Sequence, residues 1–257
     1  MSRTGTKEWS DYSKNFIFGC IHNCRYCYQK ARMKQLKMIK SDDEWKKPRI
    51  RESSFKARAK RLDGRIMHPS THDILPEFIG EEIDYLRRWL EVGNDILITS
   101  KPHYDCIKRI CGELRMFRDQ IVFRFTIGSN NDDVLGFWEP GAPGIHERMN
   151  SLIHAYRNGF STSVSCEPFL DQFISSLVWD VKPFVSDSIW IGKMNNINSR
   201  IDKTGWTSRE YRFLNIVIDA QTDEQIWELY NEWKDDEMIR WKDSIKKVVG
   251  LPEEPVG

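Results

Sequence analysis

The sequence predicts an α/β protein, a partial (β/α)6 TIM-like barrel with a basic insertion after a cysteine loop and a C-terminal helix. Short apolar runs rich in β-formers alternate with stretches of helical periodicity, which is the pattern of βαβ units and a parallel sheet. Six such runs are present, too few for a closed eight-stranded barrel, so an open partial barrel or a doubly wound sheet remains. Polar residues of chemical interest follow the ends of the runs, where parallel sheets gather their active groups.

The strand-like runs are Phe16–Gly19, Arg65–His68, Asp95–Thr99, Ile121–Ile127, Ser161–Ser165 and Ser188–Gly192. Helical patterns occupy Glu77–Val92, Tyr104–Phe117, Gly144–Asn158 and Leu170–Val178. A last helix is expected from Thr222, which with Gln225 forms a capping-box signature, to about Val248, with room for a break. Residues 40–62 fit none of this. They are charged, contain Pro48, and predict a long connection with one helix over Glu52–Leu62.

A chain of 257 residues with 40% hydrophobic and 30% charged residues can bury a real core. We expect a single domain over residues 1–257, with the barrel over about 14–220 and the helical segment over about 221–250. No apolar run approaches the roughly 18 residues that span a bilayer, and Met1–Ser10 has no apolar signal core. A soluble, cytoplasmic protein with no membrane partner is therefore expected. The net charge of +1 hides an asymmetry. Arg25–Arg65 carries 15 Lys and Arg against 5 Asp and Glu, whereas residues 219–257 carry 5 against 11. The basic stretch suits a polyanion or is a solvated surface.

Without an export signal, the six cysteines point to metal or redox work rather than disulfides. Cys20, Cys24 and Cys27 are spaced C-x3-C-x2-C, while Cys106, Cys111 and Cys166 are scattered. Three thiolates on one loop suit an iron–sulfur centre with one open iron. The alternative is zinc, with His22 or a distant cysteine as fourth ligand, in a non-catalytic nucleic-acid-binding protein.

The triplet, with aromatic Tyr26 before its last cysteine, resembles the radical S-adenosylmethionine superfamily. Asn15-Phe16-Ile17-Phe18-Gly19-Cys20, Cys24-Arg25-Tyr26-Cys27-Tyr28, Ile98-Thr99-Ser100-Lys101, Phe125-Thr126-Ile127 and Glu139-Pro140-Gly141-Ala142-Pro143 with Arg148 resemble its spore photoproduct lyase and DNA repair photolyase branch. Ser165-Cys166-Glu167-Pro168-Phe169-Leu170 resembles a phage-associated radical family. The resemblance implies a barrel of the radical SAM type, a [4Fe-4S] cluster on Cys20, Cys24 and Cys27, and bound S-adenosyl-L-methionine. It also implies a 5′-deoxyadenosyl radical that abstracts hydrogen in a lyase-like or transferase-like reaction. An electron donor of the reductase, flavodoxin or ferredoxin type would serve it. The substrate would be a nucleic acid or nucleotide, as in DNA repair, or else a small molecule or peptide. The lyase's further hydrogen-donor cysteine has no counterpart between Cys27 and Cys106, and Ser70-Thr71-His72-Asp73 stands where many members carry Gly-Gly-Glu.

Residues at strand ends complete the expected site. Ser70, Thr71 and Asp73 are candidates for the cofactor's amino group, or else form a turn. Ser100 and Lys101 are candidates for its carboxylate or ribose, and Tyr26 lies beside it. Arg124, inside an apolar strand, needs a buried anion, either that carboxylate or a structural partner. Glu139 and Arg148 are read as a loop-positioning ion pair. Cys166 and Glu167 are candidates for catalysis. Alternation puts Cys166 on the face opposite Ser163, Ser165 and Glu167, which favours packing.

Overall fold

The computed structural model describes residues 5–252. Nine strands occur among them: β1 (Tyr12–Ser13), β2 (Ile17–Phe18), β3 (Arg49–Ile50), β4 (Ile66–His68), β5 (Ile96–Ser100), β6 (Ile121–Thr126), β7 (Ser161–Cys166), β8 (Ile189–Ile191) and β9 (Ile239–Trp241). Seven form one parallel sheet in the order β1-β4-β5-β6-β7-β8-β9, while β2 and β3 pair as a separate antiparallel ribbon. Helices Ile79–Glu91, Tyr104–Glu113, Ile145–Arg157 and Ile174–Val181 connect the strands. Apart from the run at Phe16–Gly19, the predicted strands match sheet strands to within a few residues.

Three sequence expectations change. Phe16–Gly19 is not the first sheet strand; Ile17–Phe18 pairs with Arg49–Ile50, and the sheet begins with Tyr12–Ser13. The helix expected over Glu52–Leu62 is a single turn, Glu52–Phe55. The terminal helix is interrupted. Thr222 caps Asp223–Trp233 as expected, its hydroxyl accepting from Gln225 N at 3.3 Å, but β9 follows before Asp243–Val249. Helix Ser208–Ala220 precedes these and has its own capping box from Thr207 and Glu210.

The core lies between the sheet and its helices. Ile98, Phe123 and Phe125 from the strands meet Ile107 and Leu152 from the helices, all buried, each side chain contributing about 1.5–3 kcal/mol. The other side of the sheet is partly filled by charge. Arg124 guanidinium lies 5.0 Å from the Trp9 ring and 5.1 Å from the Trp190 ring, and Lys242 Nζ lies 4.3 Å from Trp9. Among the described residues, no helix is long and apolar enough to cross a membrane.

Candidate functional site: a cavity beside the cysteine loop

A cavity of about 1320 Å³ opens at the carboxyl ends of the strands. Its wall includes Cys20, Cys24, Tyr26 and Cys27 from the loop after β2, Ser70, Thr71 and Asp73 after β4, and Ser100 and Lys101 at the end of β5. Glu167 follows β7, and Lys193 and Asn195 follow β8. Parallel register explains the convergence of the loops after β4, β5, β7 and β8, which leave the sheet on one side, while the separate ribbon of β2 and β3 brings the cysteine loop to the same wall.

The cysteine loop is built from close backbone approaches. Gly19 has φ +93°, and a Cβ there would fall 2.7 Å from Trp45 O, so only glycine fits. Cys20 N donates to Trp45 O at 3.0 Å. On its other flank, Gly141 N donates to His22 O at 3.0 Å, and a Cβ on Gly141 would fall 2.3 Å from Ile21 O. Arg25 N donates to Trp138 O at 2.8 Å, and its Nε donates to Phe137 O at 2.7 Å. Cys27 caps the helix Tyr28–Gln35, its sulfur accepting from Lys30 N at 3.4 Å.

All three thiols are free, with Cys20 and Cys24 buried and Cys27 part-exposed. Burial pushes Cys24 up to about 12 and raises Cys20 as well, where Asp73, Cys24 and Cys27 add repulsion. Among the described residues, no three His, Cys, Asp or Glu side chains already form a metal-holding group. The donor set of three thiols lining one cavity suits a soft metal or an iron–sulfur centre. His22, weighed above as a zinc ligand, is otherwise engaged. Its Nε2 lies 3.0 Å from His103 Nε2 and its Nδ1 lies 3.2 Å from Asp73 Oδ2.

Asp73 is the most heavily bonded group at the site. Its carboxylate accepts from Ser100 Oγ at 2.5 Å, Lys101 N at 3.0 Å and Ile74 N at 2.8 Å. Burial pushes this carboxyl up, but His22, Lys101 and Ser100 outweigh burial and hold it well below the usual range. The turn at Ser70–Thr71 is shaped by Asn15, whose side-chain carbonyl accepts from Ser70 N at 2.7 Å and Thr71 N at 3.0 Å. Tyr28 hydroxyl donates to Ser70 O at 2.5 Å. Sequence reasoning missed Asn15 and the part His22 plays. In the sequence Asn15 stands only as part of the family-like segment before Cys20, and His22 only as a possible zinc ligand; the pairing of each with the loop after β4 is not readable there.

Tyr26 hydroxyl donates to Glu139, which also pairs with Arg148, and both charged side chains are fully buried. Lys101 Nζ stands 4.0 Å from Glu139 and 5.7 Å from the Tyr26 ring. Tyr26, Ser70, Thr71, Asp73, Ser100 and Lys101 thus come together with the three cysteines. Arg124 does not join them. Its Nε donates to Ser163 Oγ at 2.9 Å and its charge faces Asp187 at 3.4 Å, away from the cavity wall. Cys166 is buried in the main core, so its side chain packs, whereas Glu167 reaches the cavity and pairs with buried Lys242 at 3.4 Å.

No family model matches the chain. Among curated proteins it is similar to an uncharacterized protein, ORF301, of Acidianus two-tailed virus, 24% identical over 243 residues, covering 88% of this chain and 80% of that one. Among solved structures it is similar to a cysteine-to-alanine mutant of spore photoproduct lyase, with a TM-score of 0.55 at 11% identity over 94% of this chain and 78% of that one. With such a mutant bound to dinucleoside spore photoproduct, the TM-score is 0.51 at 13% identity over 84% of this chain. The match spans only 62% of that lyase chain. At such identities the likeness is one of fold: this chain has an α/β fold with a seven-stranded parallel sheet, of the kind found in spore photoproduct lyase.

Proposed function

We propose that the chain is a radical S-adenosylmethionine enzyme of the partial, TIM-like barrel type, with seven sheet strands where the sequence suggests six. The observation that carries this reading is the cavity, where the thiols of Cys20, Cys24 and Cys27 share a wall with Asp73, Ser100 and Lys101 at the carboxyl ends of a parallel sheet. In this reading the three cysteines would hold a [4Fe-4S] cluster, and S-adenosylmethionine bound with it would supply radical hydrogen abstraction. Asp73, fixed and ionised, suits the cofactor's ammonium group. Ser70 and Thr71 present a turn held by Asn15, and Lys101 offers a cation steadied by Glu139. Glu167 faces the remaining space, where a substrate would bind.

For the substrate we favour a nucleic acid or nucleotide in a lyase-like or transferase-like reaction, with a flavodoxin, ferredoxin or reductase as electron donor. The lyase structure bound to a dinucleoside and the basic stretch Arg25–Arg65 support this. One observation favours a small molecule or peptide instead. Part of the basic stretch is paired internally, with Lys30 and Lys34 on Asp42, Lys46 on Asp43 and Lys56 on Glu52. The decisive experiment is anaerobic reconstitution with iron and sulfide analysis and a cofactor-cleavage assay. We expect about four irons and four sulfides per chain, lost on replacing Cys20, Cys24 or Cys27 by Ala and retained in Cys106→Ala. Stoichiometric zinc without iron would overturn the reading. Salt-dependent binding of DNA or RNA separates the two substrate classes.

A further inference from the structure

His22 sits between Cys20 and Cys24 in sequence, yet its imidazole is 1% exposed and points away from solvent. A buried ring in an irregular loop must have both nitrogens satisfied. Nδ1 faces Asp73 Oδ2 at 3.2 Å as an ion-pair contact and has no hydrogen-bond partner of good geometry among the described residues. With the proton on Nδ1 the ring turns an N–H toward this carboxylate, and Nε2 is free to accept from His103 Nε2–H at 3.0 Å. His103 in turn lies 3.7 Å from Glu147, at the start of helix Ile145–Arg157. The backbone of His22 is held as well, because its carbonyl accepts from Gly141 N. One residue of the thiol loop is therefore joined to the loops after β4 and β5 and to the segment after β6.

The partner on the cavity side is not an arbitrary carboxylate. Asp73 also accepts from Ser100 Oγ, Lys101 N and Ile74 N, so a shift of Asp73 is a shift of the whole pocket wall. We propose that His22 is a positioning residue that locks the thiol loop to Asp73, so that the group held by the three cysteines and the ligand held by Asp73 are set at a fixed separation. The lock is a property of the chain itself. Its purpose rests on the radical-enzyme reading given above. Partners that orient metal ligands in this way typically change metal affinity by about 10- to 100-fold when removed.

The test uses His22→Ala, His22→Asn and His22→Gln. Asn places an amide nitrogen where Nδ1 was and keeps the contact with Asp73; Gln reaches the Nε2 position and keeps only the bond toward His103. The first measurement is on metal-free protein: the rate at which Cys20 and Cys24 are alkylated, read cysteine by cysteine by mass spectrometry, with buried Cys106 and Cys111 as internal references. His22→Ala should speed alkylation of Cys20 and Cys24 at least about tenfold, leaving the references unchanged. His22→Asn should remain near wild type, and His22→Gln should behave like Ala. The second measurement is on anaerobically reconstituted protein, where His22→Ala should lose iron to a chelator about tenfold faster and bind S-adenosylmethionine more weakly, with Asn again restoring both. Unchanged alkylation in His22→Ala, or rescue by Gln as complete as by Asn, overturns the lock. Faster alkylation in His22→Ala together with a wild-type protein that takes up no iron leaves the lock standing and overturns the cluster reading instead.

Discussion

Lys101 and Arg124 are both cations of the parallel sheet, one just past the end of β5 and one buried within β6, and the structure puts them to different uses. Lys101 follows the last residue of β5, lines the cavity and keeps 15% of its side chain exposed beside Glu139. Arg124 lies two residues before the end of β6, is 2% exposed, and is enclosed by Ser163, Ser188, Asp187 and the rings of Trp9 and Trp190. Thr126, on the same face of β6, does reach the cavity. Two residues along a strand, about 7 Å, separate a position facing a ligand from one belonging to the floor. Burial pushes Arg124 down to about 10 despite Asp187, whereas Lys101 is held above its ordinary range: burial lowers it, but Cys24, Glu139 and Asp73 outweigh that. Lys101 lines the cavity beside Glu139, whereas Arg124 is held by Asp187 and two indole rings outside the cavity wall.

Substitutions at the two cations and their partners sharpen this contrast. The largest effect is expected for Glu139→Ala, which leaves fully buried Arg148 without its anion and should cost about 3–5 kcal/mol in denaturant unfolding. Arg124→Ala should cost less, about 2 kcal/mol, because Asp187 is partly exposed and can be hydrated, with iron uptake unchanged. Lys101→Met should shift unfolding by no more than about 1 kcal/mol while weakening S-adenosylmethionine binding; equal affinity in the variant would move Lys101 into the scaffold class. The smallest effect is in the acid limb. Burial raises the Glu139 carboxyl, but Arg148, Lys101 and Tyr26 outweigh it and hold it below 4.5. Its contribution is fully present above that value and is lost as pH falls through the depressed folded value. Glu139→Gln should therefore flatten the fall of stability with pH below about 4.5.

The same distinction sets how far the sequence could be read. Central strands such as Ile121–Thr126 and Ser161–Cys166 are long enough to show their pattern, and polar residues just beyond strand ends meet because a parallel sheet delivers them to one side. That is why Asp73, Ser100 and Lys101 could be grouped although they lie in different loops. β1 has two residues, both exposed, and β9 has three, so neither carries a readable period. The apolar stretch before the cysteines read as a sheet strand because a ribbon strand and a sheet strand share the same β-formers. Arg124 was ambiguous because a lone buried cation in a strand does not reveal its anion, which here comes from Asp187, 63 positions away. His22 was hidden by its neighbours, since a histidine among cysteines first suggests a ligand.

The ribbon of Ile17–Phe18 with Arg49–Ile50 has one more consequence. It closes the neck of an excursion that contains all three clustered thiols, and Phe18, Cys20, Met33, Ile39 and Trp45 form a small core within it. Lys30 ties its two arms together through Asn23 and Asp42. The excursion is therefore organised as a cassette, with its base anchored and its outer part, from Gln29 to Glu44, supported from within. Recombination or design that exchanges the outer part should alter the surface beside the cavity while leaving the sheet, and the residues presented at its strand ends, in register.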